Sequence, residues 1–159
     1  MSSKTVLAAG LLACLMPAAV SAADHSGYGD AVEFFHSEAQ YEAWFTLVHR
    51  LRRDFDWICG DTFCEGDYSN IQPLRFRCSV HRVSGRVGMC VWTFAASHEE
   101  IAQANGRIGV QRAFWECRTP LVPGTHIGQL LDALAVDAPL YAPLPGQHRS
   151  VMDGLIDCL

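Results

Sequence analysis

After Lys4 this chain contains no lysine, and after residue 23 it contains no apolar run near the roughly 20 residues that a membrane-crossing helix requires. The second absence excludes a transmembrane helix in the mature chain. Arginine is left as the only strong base, and acids outnumber it: the formal charge is −5 and the isoelectric point about 5.7. No basic stripe is available to neutralise phosphates, so nucleic acid is not an expected partner. The preference for arginine over lysine is accounted for by GC-rich codon usage. Catalytic signatures are missing too. There is no Cys-x-x-Cys pair, no His-x-x-x-His pair and no Gly-x-Ser-x-Gly elbow, so neither a zinc site nor a serine nucleophile has a nucleus. An EF-hand started at Asp61 fails because Phe63 and Gln72 stand at positions 3 and 12, where oxygen ligands are needed. No cofactor is expected.

What is present begins with a leader. Lys4 marks a charged start, Val6 to Met16 is apolar, Pro17 breaks the helix, and Val20-Ser21-Ala22-Ala23 offers small residues for cleavage. Residues 1–23 are therefore read as a signal peptide and 24–159 as a single domain, periplasmic or secreted and of bacterial type. Leu11-Leu12-Ala13-Cys14 resembles a lipobox, but the apolar run continues past the cysteine instead of turning polar. Setting Cys14 aside leaves six cysteines, Cys59, Cys64, Cys78, Cys90, Cys117 and Cys158, an even number suited to an oxidising compartment. Six cysteines allow 15 pairings, and the sequence does not choose among them. Cys59–Cys64 would close a short loop, Cys78–Cys90 would cross a hairpin, and Cys117–Cys158 would tie down the carboxy terminus. A hydrogen-bonded cross-strand pair would be an awkward position for the second of these.

Along the chain, Asp24 to Asp30 reads as a flexible start. Ser37-Glu38-Ala39-Gln40 is a capping box opening a helix over about 38–55, with Tyr41, Trp44, Phe45, Val48, Leu51 and Phe55 on its apolar face. Arg50, Arg52 and Arg53 fall in its last turns, where cations complement the helix dipole. Residues 74–82 alternate apolar and polar as a half-buried strand does, and 87–95 resume β composition after a turn at Val83-Ser84-Gly85. If Arg82 pairs with Arg86, Cys78 lies opposite Cys90, and Leu74, Phe76, Cys78 and Val80 share a face with Cys90, Trp92 and Phe94. His81 then lies on the other face, as a surface residue. Ser97 to Asn105 reads as a short capped helix stopped by Gly106, in competition with a hairpin turn at Asn105-Gly106. A third strand is expected over 108–118, bulged near Arg112-Ala113. Thr125 caps a helix carrying Ile127, Leu130, Leu131 and Leu134, residues 138–146 form an extended proline-rich strap, and Ser150 with Asp153 opens a last helix over 151–157. The fold class is α+β: a long N-terminal helix, an antiparallel sheet of about three to four strands, and short C-terminal helices, stabilised by disulfides.

The candidate site is the segment 54–70. Asp54, Asp56, Asp61, Glu65 and Asp67 interleave there with Phe55, Trp57, Phe63 and Tyr68 around Cys59 and Cys64. A loop closed by a disulfide loses little entropy when a partner docks, and aromatic side chains are the anchor type of protein interfaces. Carboxylates would speed encounter with a basic partner. The expected function is an exported, non-enzymatic protein-binding domain contacting its partner through Trp57, Asp61, Phe63, Glu65, Asp67 and Tyr68. Inhibitors of envelope or secreted enzymes and immunity-type proteins share its size and design. The alternative is an envelope hydrolase using the same carboxylates, with an irregular calcium site at Asp61, Glu65 and Asp67 assisting.

Overall fold

A computed structural model describes residues 27–59, 64, 66 and 68–159. The order of elements is β1 (Tyr28–Asp30), α1 (Ala31–Phe34), α2 (Glu38–Ile58), β2 (Gln72–His81), β3 (Val87–Ile101), β4 (Ile108–Arg118), α3 (Ile127–Ala133) and α4 (Val151–Ile156). The strands form one antiparallel sheet in chain order, with helices on one face, so the α+β class holds. Of the expected flexible start, Asp24 to Ser26 lie outside the described residues, and the rest is ordered. Tyr28–Asp30 pairs with β2, and Asp30 accepts from Val32 N–H and from the Arg77 side chain, closing the ladder with an ion pair. The long helix therefore follows a short strand and one helical turn.

Helix α2 begins at its capping box: Ser37 Oγ accepts from Gln40 N–H, and the Gln40 side chain reaches back to Ser37 N–H. Its buried stripe is Trp44, Leu47, Leu51, Asp54 and Phe55, rotated from the one the sequence suggests. Phe45 is exposed and Tyr41 partly so, while Leu47 takes the core position between Trp44 and Leu51. The helix also runs to Ile58, which removes Arg50, Arg52 and Arg53 from its last turn. They are tethers. Arg50 donates to Val136 O (2.7 Å), Arg52 to Pro73 O (2.8 Å) and Leu74 O (2.9 Å), and Arg53 to Asp137 O and the Asp54 carboxylate. The three guanidiniums hold the carboxy-terminal turns and the start of β2 against one helix.

Cys78 stands opposite Cys90, as expected, but by a different count. His81 N–H donates to Arg86 O (2.9 Å), so the loop is one residue longer than the three-residue turn. A bulge between Ser79 and Val80 then restores the register at the cysteines. Cys90 spends its carbonyl on Thr119 N–H, and Arg82 N–H bonds Gly27 O, so Cys78 and Cys90 turn their peptide groups away from each other. They occupy a non-hydrogen-bonded site, where strands approach closest, and their Cα atoms are 4.0 Å apart. Cys59 pairs with Cys64 and Cys117 with Cys158. A second bulge, at Leu74, turns that side chain to the outer face and puts Pro73 in the core instead.

One hydrophobic core fills the space between sheet and helices. Phe76, Val80, Trp92, Phe94 and Cys117 come from the sheet, Leu51 and Phe55 from α2, and Leu130, Leu134, Leu140, Leu144 and Leu155 from the carboxy-terminal third. There the N-cap is His126, not Thr125, whose hydroxyl donates to Val122 O. Residues 138–146 form successive turns, with Tyr141 N–H to Ala138 O and Ala142 N–H to Pro139 O, because Leu140 and Leu144 must both reach the core. Helix α4 opens with Ser150 and Asp153 in a reciprocal box. Asp153 is held below the usual carboxylate range, chiefly by the Ser150 backbone N–H and then by its hydroxyl, with Arg149 adding attraction. A depressed folded value stabilises the fold above the ordinary carboxylate pKa of about 3.9 and loses that effect as pH falls below it. Asp153→Asn should therefore lower stability at neutral pH, and the gap from wild type should close as melts are taken down toward pH 2.

Candidate functional site

The candidate site lies where β2 runs out. β2 pairs with β3 only as far as Gln72 opposite Ala95, yet β3 continues to Ile101 and returns as β4. Ser97 N–H points to the side that β2 has vacated, and Asn70 takes its place: its side-chain oxygen accepts from Ser97 N–H (2.9 Å) and its amide donates to Ser97 Oγ (3.0 Å). Beyond this side-chain cap the hairpin projects as a two-stranded arm. All residues from 98 to 112 are exposed. The expected short helix after Ser97 is absent; the competing turn at Asn105-Gly106 is what forms. Ala102 N–H bonds Arg107 O and Gly106 N–H bonds Ala102 O, with Gly106 in the left-handed region (φ 70°) that a side chain would resist. A local cap yields to an unbroken cross-strand ladder. The expected bulge near Arg112 is also absent, for each residue from Val91 to Ile101 has one partner in β4.

Register sorts the arm's side chains. Ile101 opposes Ile108, Glu99 opposes Val110, Ser97 opposes Arg112 and Ala95 opposes Phe114, all on the outer face away from the core. Ile101, Ile108, Val110 and Phe114 are exposed there, Phe114 at 65%. Val110 and Phe114, with Leu74, Ala95 and Arg112, border a depression that Gln72 and Ser97 also line. The opposite face carries His98, Glu100 and Gln111.

The described residues of segment 54–70 include two that lead to the base of this arm, Cys59, whose Sγ lies 3.6 Å from Ile71 O, and Tyr68. The segment's first residues are helical: Asp54, Asp56 and Trp57 belong to α2. Asp54 is buried, paired with Arg53 and accepting from Leu140 N–H (3.4 Å), so it is structural. Trp57 is 77% exposed at the end of the helix, five residues after Arg52, which grips the start of β2. Tyr68 packs edge-on against Trp115 of β4 (5.6 Å, 85°), at the arm's root. Asp61, Phe63, Glu65 and Asp67 lie outside the described residues. Among the described residues no three His, Cys, Asp or Glu side chains gather at metal-binding distance. Of the sequence-derived site, Trp57 and Tyr68 thus fall at one end, and the arm beside them was missed. Its signal was the Asn105-Gly106 turn flanked by Ile101, Ile108 and Val110.

Fold and site together define a disulfide-stabilised α+β domain presenting an apolar arm and an exposed tryptophan at one end. No protein-family description, characterised protein or solved structure matches the chain.

Proposed function

We propose that this is an exported, non-enzymatic domain that binds another protein through the end formed by Trp57, the loop closed by Cys59 and Cys64, and the arm. The observation that carries the reading is the concentration of exposed apolar side chains at that end, Trp57 with Ile101, Ile108, Val110 and Phe114. Large aromatic anchors on a cross-linked support bind with small ordering cost. Glu99 shares their face of the arm, and the loop sequence carries Asp61, Glu65 and Asp67. That charge favours a basic partner, such as an envelope or secreted enzyme. Three paired cysteines and the leader sequence support work in the periplasm or outside the cell.

Immobilised oxidised protein should retain one stoichiometric partner from envelope and secreted extract, and salt should weaken the complex. Trp57→Ala should reduce affinity by at least about tenfold, as truncation of an interface anchor does. Asp61→Asn, Glu65→Gln and Asp67→Asn together should lessen the salt dependence. Full affinity in both variants would overturn the reading.

A further inference from the structure

The free side of β4 is open over most of its length, and hydrogen bonding fixes which residues face it. Thr119 N–H donates to Cys90 O and Ala102 N–H to Arg107 O, so odd-numbered residues of β4 bond β3. Even-numbered ones, Ile108, Val110, Arg112 and Phe114 among them, turn their N–H and C=O groups to the free side. Helix α4 closes only the far end, where a Cβ on Gly154 would stand 2.6 Å from Arg118 O. From Ile108 to Phe114 no described element pairs with the strand. The usual protections of an edge are missing from this stretch: it has no proline, no lysine and no bulge.

We propose that this edge pairs with the same edge of a second copy of the chain, antiparallel, about a two-fold axis through Gln111. An axis normal to the sheet keeps the outer faces together only when even-numbered residues meet even-numbered ones, since a one-residue slip reverses every side chain. An axis through Arg112 would set that arginine against itself, a destabilising like-charge pair. An axis through Val110 would set Phe114 against Gly106 in the arm's turn and shorten the ladder. The axis through Gln111 opposes Ile108 with Phe114 and Val110 with Arg112, and every such pair is matched for hydrogen bonding. It also matches charge. Val110 lies beside Glu99 within its own arm. Arg112 of one copy therefore reaches across Val110 of the other toward Glu99, roughly 9.6 Å away as two strand spacings, a gap the two side chains together span. Symmetry supplies this pair twice. Neither Arg112 nor Glu99 has an ion pair within its own chain among the described residues. Pairing converts a two-stranded arm, marginal by itself, into the centre of a continuous sheet. The outer faces of both arms remain free and adjoin as one apolar platform, so the inference goes beyond the binding reading and does not depend on it.

Sedimentation equilibrium of the oxidised chain should show a concentration-dependent dimer. Val110→Pro removes an N–H that faces the edge while leaving the β3–β4 ladder intact, and should weaken the dimer by at least about tenfold. Arg112→Glu, at an exposed site that leaves folding unchanged by circular dichroism, should weaken it comparably, and adding Glu99→Arg in the same chain should restore it. A monomer at all concentrations, a dimer indifferent to both single substitutions, or failure of the charge swap to restore association would each overturn the proposal. Val110→Pro carries the one risk of misfolding, and the charge swap decides without it. The readout is self-association alone, so loss of the heterologous partner would not bear on it.

Discussion

Phe55→Ala is expected to cost about 3–5 kcal/mol, the range for emptying a fully buried aromatic position. Phe55 has no exposed surface, and its ring meets Phe94 at 4.8 Å and Trp92 at 5.8 Å, centroid to centroid. These rings bring α2 and the centre of the sheet together. Trp92 and Phe94 also touch each other, so the void left by alanine is walled by rings fixed in a strand, which cannot collapse into it. Against a total stability of about 5–15 kcal/mol, the loss should move the denaturation midpoint far with little change in slope. Phe45→Ala, ten residues earlier on the same helix, should change stability by less than about 0.5 kcal/mol, because its ring already faces water. Similar losses from both substitutions would mean that the helix buries a different face.

That contrast also shows what the sequence could and could not reveal. Ser37 and Gln40 mark the start of α2 locally, through hydrogen bonds made within four residues, so the helix was legible. Its rotation was not: Phe45 and Leu47 are both apolar, and which one enters the core depends on where Trp92 and Phe94 lie across the sheet. The strand pairing of Cys78 with Cys90 was readable from alternation and the turn ending at Gly85, although a bulge between Ser79 and Val80 alters the route by which it arises. Leu74 shows the limit of alternation, since one extra residue sends it outward and brings Pro73 in.

The arm was harder to see for a related reason. Ser97-His98-Glu99-Glu100 carries a capping signal, but a helix there would give up the five pairings from Ser97 to Ile101 between β3 and β4. Non-local hydrogen bonds outweighed the local cap, and the pattern of nearest neighbours carries no record of them. The arginines of α2 failed in the same way. Their sequence position near the expected helix end suggested a dipole role, whereas their partners are carbonyls more than 20 residues distant, at 73–74, and at 136–137. Trp57 and Tyr68 were legible as unusual composition. Only the fold shows that one faces solvent and the other packs against Trp115.

Removing Cys117–Cys158 by paired alanine substitution should cost about 4 kcal/mol, the largest loss among the three bridges. In the chain-entropy account the stabilisation grows with the loop closed, and the sequence separations are 41, 12 and 5. The corresponding estimates are about 4, 3 and 2 kcal/mol. The long bridge also has the most to hold. Leu140, Leu144, Val151 and Leu155 cover the core from turns and one short helix, without strand pairing to fix them. Their remaining ties are single bonds, such as Met152 N–H to Leu140 O and Leu140 N–H to the Asp54 carboxylate. Amide exchange in 138–158 should accelerate before exchange in β2 and β3 does, and the melting temperature should fall. Replacing Cys59 and Cys64 by alanine should cost about half as much stability, because that bridge closes the shortest loop, and should have a large effect on partner affinity, because Cys59 lies two residues beyond the exposed Trp57. Equal stability losses from the two double variants would show that the short ring supports the fold rather than the contact surface.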